Sequence, residues 1–165
     1  MTNFIVLYRS KTGFSRRYAQ WLGEALRCEA LDCRRAGDLG AYGGVILVGG
    51  LYAGRMAGLG WLKKQRLEAK RTAAVAVGCA PMDNPGLEES MEKLFGPLPQ
   101  IRGFYCQGGL DYERMGRVDR AMMAALRASL RKNPERAEML EVISRSFDAS
   151  SRAYLDPVIA WAEEG

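Results

Sequence analysis

Ser10, Thr12 and Ser15 bring three hydroxyls into six residues, and the same stretch, Ser10-Lys11-Thr12-Gly13-Phe14-Ser15, adds one cation and one glycine. It lies directly after an apolar run, Asn3–Tyr8 (NFIVLY), and opens a segment that places Phe14, Tyr18, Leu22 and Ala25 on one helical stripe. At a strand-to-helix junction of this kind the first backbone N–H groups of the helix have no partners and sit at the positive end of its dipole. A phosphate there meets ready-made donors, the hydroxyls add more, and Gly13 lets the backbone close around the anion. The plainer alternative is a polar turn with a serine N-cap. The Walker pattern GxxxxGK followed by Ser or Thr is missing. The dinucleotide GxGxxG fails as well, since Gly58 and Gly60 are followed by Lys63 where the last glycine would fall. A mononucleotide suits the loop better than ATP or a dinucleotide.

Two further stretches have ligand-binding character. Gly49–Gly58 (GGLYAGRMAG) sets four glycines around one aromatic, so a flat ring can approach the backbone with Tyr52 as a stacking face; a glycine-rich turn with a surface tyrosine is the alternative. Gly78–Asn84 (GCAPMDN) supplies backbone donors and a tight turn at Pro81, and its Cys79 is either a redox thiol or, more simply, a small apolar residue. Asp111, Asp119, Asp148, Glu88 and Glu89 are explained by solvation or capping, and no catalytic residue is assigned among them. The chain has no histidine. That removes Ser-His-Asp and Cys-His dyads and most zinc and non-haem iron sites, so no metal centre is expected and any chemistry falls to a cofactor.

The elements that must position these loops follow from periodicity. Asn3–Tyr8, Gly44–Val48, Thr72–Val77 and Ile101–Cys106 read as parallel strands covered on both faces, with Cys28–Asp32 as a more polar edge strand. Phe14–Arg27, Leu59–Lys70 and Leu87–Phe95 read as amphipathic helices between them, and Ala149–Glu164 as a terminal helix capped by Asp148 and bent or restarted at Pro157, with Tyr154, Val158 and Trp161 inward. The alternation predicts a three-layer, doubly wound α/β fold around a five-stranded parallel sheet of order 2-1-3-4-5, in one domain over residues 1–165. In such a sheet ligands gather outside the carboxyl ends of the strands, where all three loops fall.

Residues 108–145 do not fit the alternation and are expected to be a basic helical insertion after the fifth strand. Within it Arg114–Lys132 projects Met115, Val118, Met122, Leu126 and Leu130 to one side and Arg114, Arg117, Arg120, Arg127 and Arg131 to the other. The basic side reads as a solvated face, or else as a contact for an anionic substrate or membrane surface. The net charge of +5 favours anionic partners generally. The N-terminus carries no basic leader or cleavage pattern, no run is long enough to span a membrane, and Cys28, Cys33, Cys79 and Cys106 fit no disulfide framework or metal knuckle. A cytoplasmic location is expected, with peripheral membrane association through Arg114–Lys132 left open, and no nucleic-acid partner.

SKTGFS resembles the S/T-x-T-G-x-S/T phosphate loop of flavodoxins. The order of elements over all 165 residues resembles the flavodoxin-domain branch that includes menaquinone-dependent protoporphyrinogen dehydrogenase. LYAGRMAG running into Trp61-Leu62-Lys63-Lys64, and Gly108–Leu130 with its Asp119-Arg120 pair, point to that branch. The resemblance implies flavin mononucleotide (FMN) as cofactor. Ser10, Lys11, Thr12, Gly13, Phe14 and Ser15 would hold its phosphate, and Leu51, Tyr52, Ala53, Gly54 and Arg55, with Cys79, Ala80, Pro81, Met82 and Asp83, would flank its ring. A carbonyl near Ala53–Gly54 would turn to meet the reduced ring. The implied activity is electron transfer between a small organic substrate, porphyrinogen-like or quinone, and an acceptor. A shuttle docking on redox partner proteins and a flavin-free binding module are the alternatives; electron-carrier flavodoxins are acidic, and this chain is basic.

Overall fold

The strands near the middle of the sheet are apolar on consecutive residues because each side chain, whichever way it points, meets a helix. A computed structural model describes residues 2–164 and shows this arrangement. Strands β1 (Phe4–Arg9), β2 (Ala30–Asp32), β3 (Gly44–Tyr52), β5 (Arg71–Gly78) and β6 (Arg102–Gln107) form a parallel sheet in the order β2-β1-β3-β5-β6. Val6 lies opposite Ala30 and Ile46, Ile46 opposite Ala73, and Val75 opposite Phe104. One face, with Val6, Ile46, Val48 and Val75, packs on Tyr18 and Leu22 of α1 (Phe14–Leu26) and Val158 of α6 (Asp156–Glu163). The other, with Ile5, Leu7, Val45 and Leu47, packs on Leu59 and Leu62 of α2 (Leu59–Lys63) and Phe95 of α3 (Leu87–Phe95). This is the expected α/β architecture with the expected strand order.

Tyr18 is fully buried, and its hydroxyl donates to the Gln107 carbonyl and accepts from the Ser151 N–H at 3.0 Å. One side chain thus joins α1, the end of β6 and the approach to α6. Burial is the main cause of a phenol pKa well above the ordinary value.

Several boundaries differ from the sequence reading. β3 continues four residues beyond Val48 and turns back as a hairpin with β4 (Arg55–Met56), Tyr52 opposite Arg55. Ala53 (φ 49°) and Gly54 (φ 78°) are both left-handed at its tip, as the tight turn favoured by twisted strands requires. Gly49 is needed for the close return: a Cβ there would fall 2.0 Å from the Ala57 carbonyl oxygen. The helix expected over Leu59–Lys70 stops at Lys63, and the chain reaches β5 through a left-handed residue, Ala69 (φ 64°), that a continuous helix would not contain. Ala25, placed on the buried stripe of α1, is exposed. The terminal helix begins later than Ala149. Ser151, not Asp148, caps a short 3-10 turn over Arg152–Leu155, and α6 follows with Pro157 in its first turn, where a missing N–H costs nothing. Asp148 instead accepts from Ser150 N–H at 2.9 Å and from Arg17 at 2.5 Å.

The insertion leaves and returns at one point, a two-stranded ribbon of β7 (Gly109–Leu110) and β8 (Phe147–Asp148), with Gly109 opposite Asp148. Between them α4 (Arg117–Arg131) and α5 (Ala137–Ile143) pack mainly on each other. Tyr112 organises this unit. Its hydroxyl donates to the Ile143 carbonyl and accepts from Arg127 at 2.8 Å, and its N–H donates to Ser146 at 2.9 Å. The Arg127 guanidinium lies 5.1 Å from the ring centre, and Arg120 donates to the Tyr112 and Glu113 carbonyls at 2.7 and 3.2 Å. Arg127 is half-buried and Arg120, though exposed, is tied to the chain ahead of α4, so both brace the insertion. Of the expected apolar stripe only Leu130 is buried, whereas Val118, Met122 and Leu126 are 74, 49 and 38% exposed. No helix of the described residues is long and apolar enough to cross a membrane.

Candidate functional site

A cavity of about 640 Å³ lies between the carboxyl edge of the sheet and the insertion. That is within the range of small-molecule sites, about 300–1,000 Å³. Its floor comes from the three loops singled out in the sequence. Ser10, Thr12, Phe14, Ser15, Leu51, Tyr52, Ala53, Gly54, Cys79 and Ala80 all line it. Lys11 and Gly13 of the first loop fall outside the lining, as do the exposed Arg55, Pro81, Met82 and Asp83, while Asn84, Leu87 and Ser90 around the start of α3 join it.

The Ser10–Ser15 loop is shaped by Gly13, whose φ of 102° starts α1 from the left-handed region that side chains avoid. Its N–H donates to Ser10 Oγ at 3.0 Å, and its carbonyl accepts the Arg17 N–H at 3.0 Å. Ser15 is buried in the first turn, where helix N–H groups have no intrahelical acceptors. Tyr52 folds its ring back over Gly50, where a Cβ would fall 2.7 Å from the ring. Lys11 Nζ stands 4.7 Å from the ring centre and contacts Asp119 at 3.2 Å. Burial first, and then the Asp119 charge, raise the Tyr52 phenol above its usual pKa, against the effect of a hydrogen bond with Thr12. The loop after β5 is held by its carbonyls: Tyr105 donates to Ala80 at 2.7 Å and Gln107 to Cys79 at 3.1 Å. Burial pushes the Cys79 thiol up, so it stays protonated and weakly nucleophilic at neutral pH.

The roof was not foreseen. Leu110, Met115, Met122, Met123, Leu126 and Met139 line it, with Asp119 the one carboxylate among them. The signal was present in the sequence: four of the eight methionines fall between positions 115 and 139, three of them at the spacing of one helical face around Asp119. Methionine is unbranched and polarisable, and suits a surface that adapts to an apolar ligand.

The parallel sheet and a loop-built cavity at its carboxyl edge define a doubly wound α/β ligand-binding protein. A family model described as "Flavodoxin domain" matches residues 5–137, and the chain belongs to that family. Membership implies a flavin cofactor. The residues present fit one: a left-handed glycine and hydroxyls for an anion at one end, and a mainly apolar space beside Leu51 and Ala80 for a ring. A candidate flavoprotein from Bacteroides uniformis is similar in structure, with a TM-score of 0.52 at 14% identity over 64% of this chain and 90% of that one. A second, from Bacteroides eggerthii, gives 0.49 at 15% identity over 64% and 86%. A flavodoxin from the domain Archaea gives 0.43 at 14% identity over 64% and 84%. No curated protein matches the chain in sequence.

Proposed function

We propose that the chain binds FMN and acts as an oxidoreductase on an apolar organic molecule held beside the flavin, of the porphyrinogen or quinone kind suggested by the resemblance to menaquinone-dependent protoporphyrinogen dehydrogenase. One observation carries this: the cavity runs without a break from the Ser10–Ser15 loop to the methionine wall of the insertion. A shuttle that hands electrons to protein partners needs an open flavin edge, whereas a ring held in this cavity would lie beneath the insertion.

FMN supplies one- or two-electron transfer when bound. Ser10, Thr12, Ser15 and the first-turn N–H groups would hold its phosphate, and Leu51, Tyr52 and Ala80 would border the ring. Met122, Met123 and Leu126 would exclude water from the ring's open face and fix the second molecule by apolar contact. The hairpin tip at Ala53–Gly54 is exposed at the cavity rim, where a turning peptide has room to meet the ring. The basic stretch Arg114–Lys132 spends Arg120 and Arg127 on the insertion's own framework, which leaves less of it for a membrane surface and favours an acceptor that enters the cavity.

The test begins with colour. The purified protein is expected to be yellow or to become yellow with FMN, and the released flavin to chromatograph as FMN; a protein that stays colourless, or that yields FAD, sinks the assignment. Quinone-dependent oxidation of protoporphyrinogen should then be lost when residues 109–148 are replaced by a short linker, in protein kept saturated with FMN. Reduced protein that passes electrons to cytochrome c as fast with the insertion as without it, and leaves quinones alone, would establish the shuttle instead.

A further inference from the structure

Three charged side chains meet at the mouth of the Ser10–Ser15 loop, and two of them come from the insertion about a hundred residues away. Arg114 touches the loop: its Nη1 donates to the Thr12 carbonyl at 3.5 Å, and a Cβ on Gly13 would stand 3.0 Å from that nitrogen. Its Nε lies 3.5 Å from Asp111, which also accepts the Arg114 N–H and so fixes the base of the side chain. Lys11 flanks the loop from the other side, with Nζ 3.2 and 3.4 Å from the two Asp119 oxygens. Asp119 is out of character with its surroundings. It occupies the cavity-facing stripe of α4 between Met115 and Met122, and its side chain is only 20% exposed. A carboxylate in an apolar wall is costly unless a cation attends it, and Lys11 attends it.

We propose that Arg114 and Lys11 make the loop selective for a phosphate dianion, and that Asp119 is a built-in competitor that holds Lys11 until the phosphate displaces it. This rests on the FMN assignment above and adds to it two residues, Arg114 and Asp119, that no phosphate-loop pattern contains. The chemistry is an exchange of ion pairs. Lys11 leaves one carboxylate for a group of about twice the charge, Arg114 reaches the same group from the insertion, and the loop N–H groups complete the cradle. The insertion thereby senses whether the cofactor's phosphate is in place, because the Lys11–Asp119 pair that ties α4 to the loop opens when it arrives.

Riboflavin, which has the same ring and no phosphate, is the discriminating probe. Affinities for FMN and riboflavin are measured by quenching of flavin fluorescence for the whole chain and for Arg114→Ala, Lys11→Ala, Asp119→Asn and the double variant Lys11→Ala/Asp119→Asn. Charge-assisted hydrogen bonds at a half-exposed site and the tenfold-per-1.4 kcal/mol relation set the expected size at about tenfold. Arg114→Ala and Lys11→Ala should each reduce the preference for FMN over riboflavin by about that factor with riboflavin affinity unchanged, which also shows the ring site intact. Asp119→Asn should raise the preference several-fold, and should do nothing once Lys11 is already alanine. An unchanged preference in Arg114→Ala, or an Asp119→Asn effect that persists without Lys11, overturns the proposal while FMN binding itself stands. If the unaltered chain binds neither flavin, the FMN assignment has failed and takes the proposal with it.

Discussion

Leu47 in β3 and Leu126 in α4 are the same residue on two well-ordered elements, yet Leu47 is fully enclosed between the sheet and its helices while Leu126 is 38% exposed on a cavity wall. The contrast runs through both regions. The sheet is held by burial, with unbroken apolar strands and helices on either side. The insertion is held by directed bonds around Tyr112, with a ribbon at its base, and it keeps much of its apolar surface open. A unit fastened by hydrogen bonds and a cation–ring contact can present a greasy face without collapsing onto it. A unit fastened by burial has no such face to spare.

Substitutions can break or sharpen this contrast. Leu47→Ala should lower global stability by about 2–5 kcal/mol in urea denaturation, the usual cost of a large core truncation. Tyr112→Phe removes a hydroxyl that both donates and accepts, and should cost about 1–3 kcal/mol within the insertion alone. Its signature is faster hydrogen exchange and proteolysis over residues 109–148, with the main unfolding transition unmoved. If that transition shifts as it does for Leu47→Ala, the two regions are one cooperative unit and the contrast fails. Leu126→Ala should change stability by less than about 0.5 kcal/mol, as exposed positions do, while weakening binding of the apolar second molecule in a competition titration.

The smallest effect is expected at the seam, where Asp148 at the end of the ribbon meets Arg17 of α1. Burial opposes the charge on Asp148, but Ser150 and Arg17 outweigh it and bring the carboxyl below its usual value. A folded pKa below the unfolded one, about 3.9, stabilises the seam fully above that pH, and the contribution is lost as pH falls through the folded value. Amide protection at β7 and β8, with the intrinsic pH dependence of exchange divided out, should therefore be steady from neutrality to about pH 4 and fall below it, and Arg17→Ala should shrink that acid dependence.

Much of the fold was legible from the chain because its signals are local. Consecutive apolar residues at Phe4–Leu7 and Val45–Val48 and the Phe14–Tyr18–Leu22 stripe each need only their own segment to be recognised. The phosphate-loop pattern is local as well. The hairpin over Leu51–Met56 was missed because Gly-rich stretches serve loops and tight turns alike, and the left-handed Ala53 leaves no mark in residue type. The start of the last helix was misplaced because Asp148 and Ser151 are both competent caps, and Arg17, far away in sequence, claims the aspartate. The roof of the cavity was read only as the apolar side of a basic amphipathic helix for the same reason. An amphipathic helix announces an apolar face without saying whether core or ligand will cover it, and Met115–Leu126 reaches the Ser10–Ser15 loop only through the folded path of the ribbon.

That ribbon brings Gly108 and Ala149 together, the Ala149 N–H donating to the Gly108 carbonyl at 2.8 Å. Forty residues thus enter and leave the sheet at what amounts to a single socket. Evolution can lengthen, trim or exchange such a cassette without re-registering a strand, so relatives built on the same floor are free to diverge in what they admit above it.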